Sequence, residues 1–305
     1  MAKHKYKHLD IFQQSRQWEN SYSALGKSIL LADNLGYPVN HSDMAMNLTG
    51  DPCKIMKCII IAILEGEMVY DVNLGRNTAR KGELVVIMPN TIGQLVSMSE
   101  DVQVAIIYFE PEFWPIHELS PECLTLFNRF FTSSITVNSS KSLFARFLDM
   151  YGQIKQLLGR EDYEFKEIAV KGYLQIMLAD ACQWIVNYYR NPENMSGNSN
   201  NIQRIYNNFI ELVKQNYRTE RAIPFYADKL CLSTKYLGQV VVKASGKSAL
   251  DLIADYVILE AKALLKSRCY NVQQISGILN FPNPSFFGKY FKAHTGMTPR
   301  HYMME

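Results

Sequence analysis

The chain has 305 residues, of which 48% are apolar, 20% charged and 12% aromatic, with a formal net charge of +3; this profile suits a globular chain of about two domains and excludes wholesale disorder. The longest unbroken apolar run, Cys58 to Leu64, is seven residues, against the ~20 that a membrane-spanning helix needs, so no span is expected. The charge is uneven: residues 1–199 carry 18 Lys+Arg against 22 Asp+Glu, and residues 200–305 carry 14 against 7, the footprint expected where one domain meets a polyanion.

The basic start, MAKHKYKHLD, runs into Ile11-Phe12-Gln13-Gln14 rather than an apolar segment with a cleavage site, so no secretory signal is expected. Six scattered cysteines without a CxxC pair read as reduced thiols, which places the protein in the cytoplasm. From Met44 to Phe109, β-branched and aromatic runs predict strands over Met44–Thr49, Ile55–Leu64, Glu67–Asn73, Glu83–Met88, Gln94–Met98 and Val102–Phe109. Turn residues such as Gly75, Asn77 and Gly82 separate them. Short strands without intervening helices indicate an antiparallel sandwich or small barrel.

Beyond Ser140 the apolar period changes to three and four. Leu143 to Leu158 and Ile168 to Tyr189 each predict an amphipathic helix. Such a pair either caps the core of the β-domain or gives a second copy a surface to close on. Asn191 to Asn201 is nearly all Asn, Pro, Glu, Ser and Gly, and reads as a linker. The expected layout is therefore a β-domain over 1–138, a helical pair over 139–190, a linker over 191–201 and a further domain over 202–305.

That last domain repeats itself at an interval of fifty residues. Ser233-Thr-Lys-Tyr-Leu237-Gly238-Gln-Val-Val241 through Gly246 and Ser248 overlays Asn283-Pro-Ser-Phe-Phe287-Gly288-Lys-Tyr-Phe291 through Gly296 and Thr298. Leu237/Val241 and Phe287/Phe291 stand four apart, one apolar stripe per helix. Gly246 and Gly296 suit a left-handed helix end, and Ser248, Thr298 and Pro299 suit the start of the next helix. A shorter helix precedes each copy, at Ile223–Leu230 and Val272–Leu279, which makes two helix-turn-helix units. Between them Ala249–Lys266 predicts one helix, roughly 27 Å long at 1.5 Å per residue, near the ~34 Å of a DNA turn. The residues off the apolar stripes are Thr234, Lys235, Gln239 and Lys243 in the first copy and Asn283, Ser285, Lys289 and Lys292 in the second. Hydroxyl, amide and ammonium groups of this kind bond to base edges and phosphates of double-stranded DNA.

Residues Ile202–Met304, above all Ile275-Ser-Gly-Ile-Leu-Asn-Phe281 and Ser285-Phe-Phe287-Gly-Lys-Tyr-Phe291-Lys292 through Gly296 and Pro299, resemble the DNA-binding domain of the AraC/XylS family of bacterial transcription regulators. The sequence departs from that pattern at Ser276, Asn280 and Pro284, and Gly238 stands where the family often carries a contacting side chain. Lys81-Gly-Glu-Leu-Val-Val-Ile-Met-Pro89 also looks like a strand of the cupin-like barrel that family members place first. The resemblance implies a two-domain protein: an N-terminal antiparallel β-barrel of cupin type with a following helical pair, then an all-α tandem helix-turn-helix domain. It further implies a small-molecule effector in the barrel, homodimerisation through the helices, and RNA polymerase as a partner. Tyr70, Met88, Tyr108 and Phe109 are the candidate effector-pocket residues.

No catalytic constellation is present. None of His4, His8, His41, His117, His294 and His301 forms an HxH pair or falls in a candidate strand, so neither a metal nor another cofactor is expected. GxSxG, P-loop and GxGxxG patterns are missing too. The expectation is a non-enzymatic transcription regulator. Its competitors are a ligand-independent regulator whose barrel only dimerises, and a cupin enzyme fused to a DNA-binding domain.

Overall fold

A computed structural model describes residues 22–35, 51–133, 136–137, 141–191 and 201–304. The strand expected at Met44–Thr49, residues 192–200 of the expected linker and the basic N-terminus lie outside the described residues. The chain divides into two compact units, one built on Leu9–Gly50 and Ile55–Asn194, the other mainly on Met195–Glu305 with the short segment Asp51–Lys54.

The first unit is an antiparallel β-structure followed by helices. The strands are β1 (Tyr22–Leu25), β2 (Ile29–Asp33), β3 (Cys53–Ile55, of which Ile55 belongs to this unit), β4 (Cys58–Glu65), β5 (Glu67–Val72), β6 (Gly75–Arg80), β7 (Leu84–Ile87), β8 (Thr91–Met98), β9 (Gln103–Phe109) and β10 (Thr136–Val137). Among the described residues they form a six-stranded sheet, β1-β2-β9-β4-β7-β10, and a four-stranded sheet, β3-β8-β5-β6. Strand β6, Gly-Arg-Asn-Thr-Ala-Arg, is one that sequence reading takes for a turn. It pairs with β5 from Glu67↔Arg80 to Val72↔Gly75, and only Ala79 within it is buried.

Helices α1 (Pro121–Ser133), α2 (Lys141–Gly159) and α3 (Lys166–Arg190) pack on the larger sheet. Ile29, Leu31, Ile60, Ala62, Leu84, Val86, Ile107 and Phe109 form one core with Phe147, Tyr151, Ile154, Leu174, Met177 and Ile185. The alternate residues Leu30, Ile59, Ile63, Val85, Ile106 and Tyr108 are buried as well. Successive strand residues face opposite sides, so the central strands are covered on both, which is why Cys58 to Leu64 reads as continuous apolar sequence rather than an alternation. Asp33, buried at the end of β2, accepts from Tyr151 Oη at 2.7 Å and pairs with Lys155 Nζ at 2.5 Å, which locks α2 to the sheet.

The second unit is all helix: α4 (Asn201–Asn216), α5 (Ile223–Lys229), α6 (Thr234–Ser245), α7 (Ala249–Lys266), α8 (Val272–Ile278), α9 (Pro284–Thr295) and α10 (Pro299–Met304). Helix α7 keeps the bounds its apolar period predicts, and α4 adds a face of Ile205, Phe209, Ile210 and Val213 to the first helix-turn-helix. Leu237, Val240 and Val241 of α6 pack into that core, and Phe287 and Phe291 of α9 into the core of the second. The carboxylate of Glu260, fully buried in α7, accepts from Tyr217 Oη at 2.5 Å, Arg218 Nε at 2.7 Å and Lys54 Nζ at 2.9 Å. Burial alone raises its pKa, but the Arg218 and Lys54 charges and the hydrogen bonds outweigh burial and hold it at about 2.

Candidate nucleic-acid interface

Each helix-turn-helix is closed by the same backbone device. At the end of α5, the N–H of Cys231 donates to Asp228 O at 3.1 Å and that of Leu232 to Ala227 O at 2.9 Å. At the end of α8, Asn280 donates to Gly277 O at 3.0 Å and Phe281 to Ser276 O at 2.9 Å. Both are Schellman closures, with Cys231 at φ 55° and Asn280 at φ 52° in the left-handed position usually given to glycine. Asparagine tolerates that region, so the departure at Asn280 leaves the turn intact. The next hydrophobic residue, Leu232 or Phe281, then packs against the unit's core.

Recognition helices α6 and α9 start and stop alike. Ser233 caps α6 by accepting from Tyr236 N at 3.2 Å, and Asn283 caps α9 by accepting from Phe286 N at 3.0 Å. Pro284 takes a first-turn position. Gly246 at φ 72° and Gly296 at φ 82° end them, their N–H groups donating to Val242 O and Lys292 O at 2.8 and 2.9 Å. The fifty-residue overlay is thus a repeat of caps as well as of apolar stripes.

Thr234, Lys235, Gln239 and Lys243 are all exposed or half-buried on α6, and Ser285, Lys289 and Lys292 on α9. The structure therefore gathers the predicted contact residues onto the solvent sides of two equivalent helices. Asn283 differs, because its side-chain oxygen is engaged in the cap. Sequence reasoning passes over Arg221, which precedes α5. Its guanidinium donates to Arg218 O at 3.2 Å, Asn280 O at 3.4 Å and Leu279 O, and lies 4.1 Å from the centre of the Phe281 ring. Burial pulls its pKa below the ordinary value. Arg221 so fastens the end of α8, in the second helix-turn-helix, to the chain that enters the first.

The four candidate effector residues do not share one wall. Tyr108 and Phe109 are neighbours on β9 and point to opposite faces of their sheet. Phe109 and Met88 join the core under the helices, whereas Tyr70 donates to or accepts from Thr136 Oγ1 at 2.6 Å. A cavity of about 40 Å³ lies elsewhere in this unit, between the larger sheet and the helices, lined by Ile60, Val86, Trp114, Met150, Met177 and Trp184 among others. Trp114 is fixed there by its indole N–H, which donates to Leu174 O at 2.8 Å. Among the described residues, no group of His, Cys, Asp and Glu is placed to hold a metal ion, and no helix is long and apolar enough to cross a membrane.

Residues 226–305 match the helix-turn-helix domain family. The C-terminal unit is an AraC-type helix-turn-helix domain. Over 60 residues, 20% of its length, the chain is 42% identical to an uncharacterized HTH-type transcriptional regulator, YobQ, of Bacillus subtilis, and this stretch spans a quarter of that relative. Solved structures that resemble the chain include an apo form of ToxT from Vibrio cholerae carrying a single lysine-to-alanine substitution, at a TM-score of 0.40 and 14% identity over 91% of this chain and 97% of that one. Another is the DNA-binding domain of the global transcriptional factor AdpA in complex with a target DNA, at 0.31 and 17% identity over 32% and 89%.

Proposed function

We propose that the protein is a sequence-specific, DNA-binding transcription regulator of the AraC type whose first unit senses a small apolar molecule. The observation that carries the DNA reading is the doubled recognition helix. Two helices with matching caps expose polar groups, Thr234, Lys235, Gln239 and Lys243 on one and Ser285, Lys289 and Lys292 on the other, in a domain with 14 Lys+Arg against 7 Asp+Glu. Cations neutralise phosphates and fix the register, and amide and ammonium groups in the major groove read base edges. The test is selection of duplexes from a random-sequence pool by the intact chain, followed by titration of the winners. Lys235→Ala and Lys289→Ala each weaken binding by about 1–3 kcal/mol and relax preference at one position where the lysine reads a base. Uniform weakening across all sequences assigns that lysine to phosphate, and unchanged affinity in both variants refutes the placement.

The effector reading rests on the cavity between sheet and helices. Its walls are almost wholly apolar, with Asp180 as the exception, and Met150 and Met177 are unbranched side chains that adapt to an occupant. A ligand there regulates only by binding one arrangement of the protein better than another. A small apolar effector raises the melting temperature of the intact chain as its concentration rises, and Ala181→Leu, which fills the space, abolishes the rise. An equal rise in that variant moves the ligand to another site, and a library without any such compound leaves the ligand-independent regulator as the better account.

A further inference from the structure

We infer that Tyr236 and Phe286 are specificity-determining residues that read thymine, by covering its C5 methyl group in the major groove; this rests on the DNA-binding reading above. The fifty-residue overlay sets the two side chains at one position, the third residue of α6 and of α9. Both are held there by their backbone N–H, which donates to the cap residue at 3.2 and 3.0 Å. Both are exposed, Tyr236 by 39% and Phe286 by 60%, although the next residue in each helix, Leu237 or Phe287, is fully buried.

An aromatic ring left in water at the same place in both repeats does little for either core, since apolar surface stabilises a fold only when covered. The helix period then gives it neighbours. Tyr236 lies on one stripe with Gln239 and Lys243, and Phe286 on one stripe with Lys289 and Ala293, at steps of three and seven. Each ring thus sits one turn nearer the helix start than a predicted base-reading group, in the segment of a recognition helix that meets base edges. Phe286 has no donor or acceptor. The apolar group that the major groove offers such a ring is the thymine methyl, while Gln239 and Lys289 suit adenine and guanine beside it.

The experiment uses the intact chain and a duplex it selects from a random pool, with each thymine in turn replaced by deoxyuridine, which removes only the methyl group. Deoxyuridine at one or more thymines for each helix weakens binding about fourfold, the equivalent of ~0.8 kcal/mol for one buried methylene-sized group. Phe286→Ala and Tyr236→Ala each bind more weakly and lose the response at their own thymine. They keep the wild-type salt dependence, because phosphate contacts do not change. Phe286→Leu keeps part of the response. Uracil tolerated at every thymine, or a wild-type uracil response in Phe286→Ala, overturns the inference and leaves DNA binding standing. A pool that yields no preferred sequence removes the DNA-binding reading and this inference with it.

Discussion

Alanine placed at two glycines of helix α6 has opposite effects, and both magnitudes follow from backbone geometry. Gly246 ends the helix at φ +72° with nothing within 4 Å of an added Cβ, and Gly238, inside it, has equally open space. Gly246→Ala therefore carries only the left-handed conformational penalty, about 1–2 kcal/mol for an L-residue. Gly238→Ala gains the helical preference of alanine, about 0.5–1 kcal/mol. The two variants differ by roughly 1.5–3 kcal/mol, or about 10- to 150-fold in an opening equilibrium at 1.4 kcal/mol per tenfold. Tryptophan fluorescence does not report it, since Trp18, Trp114 and Trp184 all precede the C-terminal unit. The assay is native-state hydrogen exchange of the intact chain, followed in peptides covering Thr234–Ser245. Gly238→Ala slows the most protected amides severalfold, and Gly246→Ala speeds them by about five- to thirtyfold. Equal exchange in Gly246→Ala and wild type refutes the left-handed cap, and faster exchange in Gly238→Ala refutes the open helical site. Gly288 and Gly296 give the same pair of signs in α9 if the repeat is structural.

Glu260→Gln removes a carboxylate held at about 2 by Arg218 and Lys54. A depressed carboxyl stabilises the fold at and above its unfolded pKa near 4.5 and ceases to do so as pH falls through 2, so the wild type loses about 3 kcal/mol over that window. Urea denaturation from pH 5 to 2 shows this slope in the wild type and lacks it in the variant, which is less stable at neutral pH; parallel curves refute the pairing. Arg221→Met strips the carbonyls at the end of α8 of their donor and Phe281 of its cation, for about 2 kcal/mol. Exchange then quickens in α8 more than in α5, and equal change in both shows that Arg221 does not fasten the second unit in particular.

Local signals make the C-terminal unit readable. Caps, turns and four-residue spacings act within a few residues of one another, so Gly246, Ser248 and Gly296 announce their roles, whereas Asn283, read as a DNA contact, caps α9. The β-unit yields less. Strand β6 carries its pairing in backbone hydrogen bonds while its side chains are polar, and β1 and β2 are short elements defined by the strands they pair with. For the pocket, grouping Tyr108 with Phe109 neglects strand parity, and the cavity lining comes from residues more than a hundred positions apart. Glu260 with Arg218, and Arg221 with Leu279, are likewise long-range pairs. Tyr236 and Phe286 stand aligned in the repeat itself, but a search for readers of DNA among polar side chains alone passes them by.

The turn after α5 has two residues between its closing leucine and the next cap, Cys231 and Leu232, whereas the turn after α8 has three, Asn280, Phe281 and Pro282. The heads are consequently siblings and not twins, joined in a fixed order along one polypeptide. A clamp with unequal jaws grips an asymmetric object in a single sense, so one copy bound to a duplex would mark a direction along it, distinguishing upstream from downstream without help from a symmetry axis.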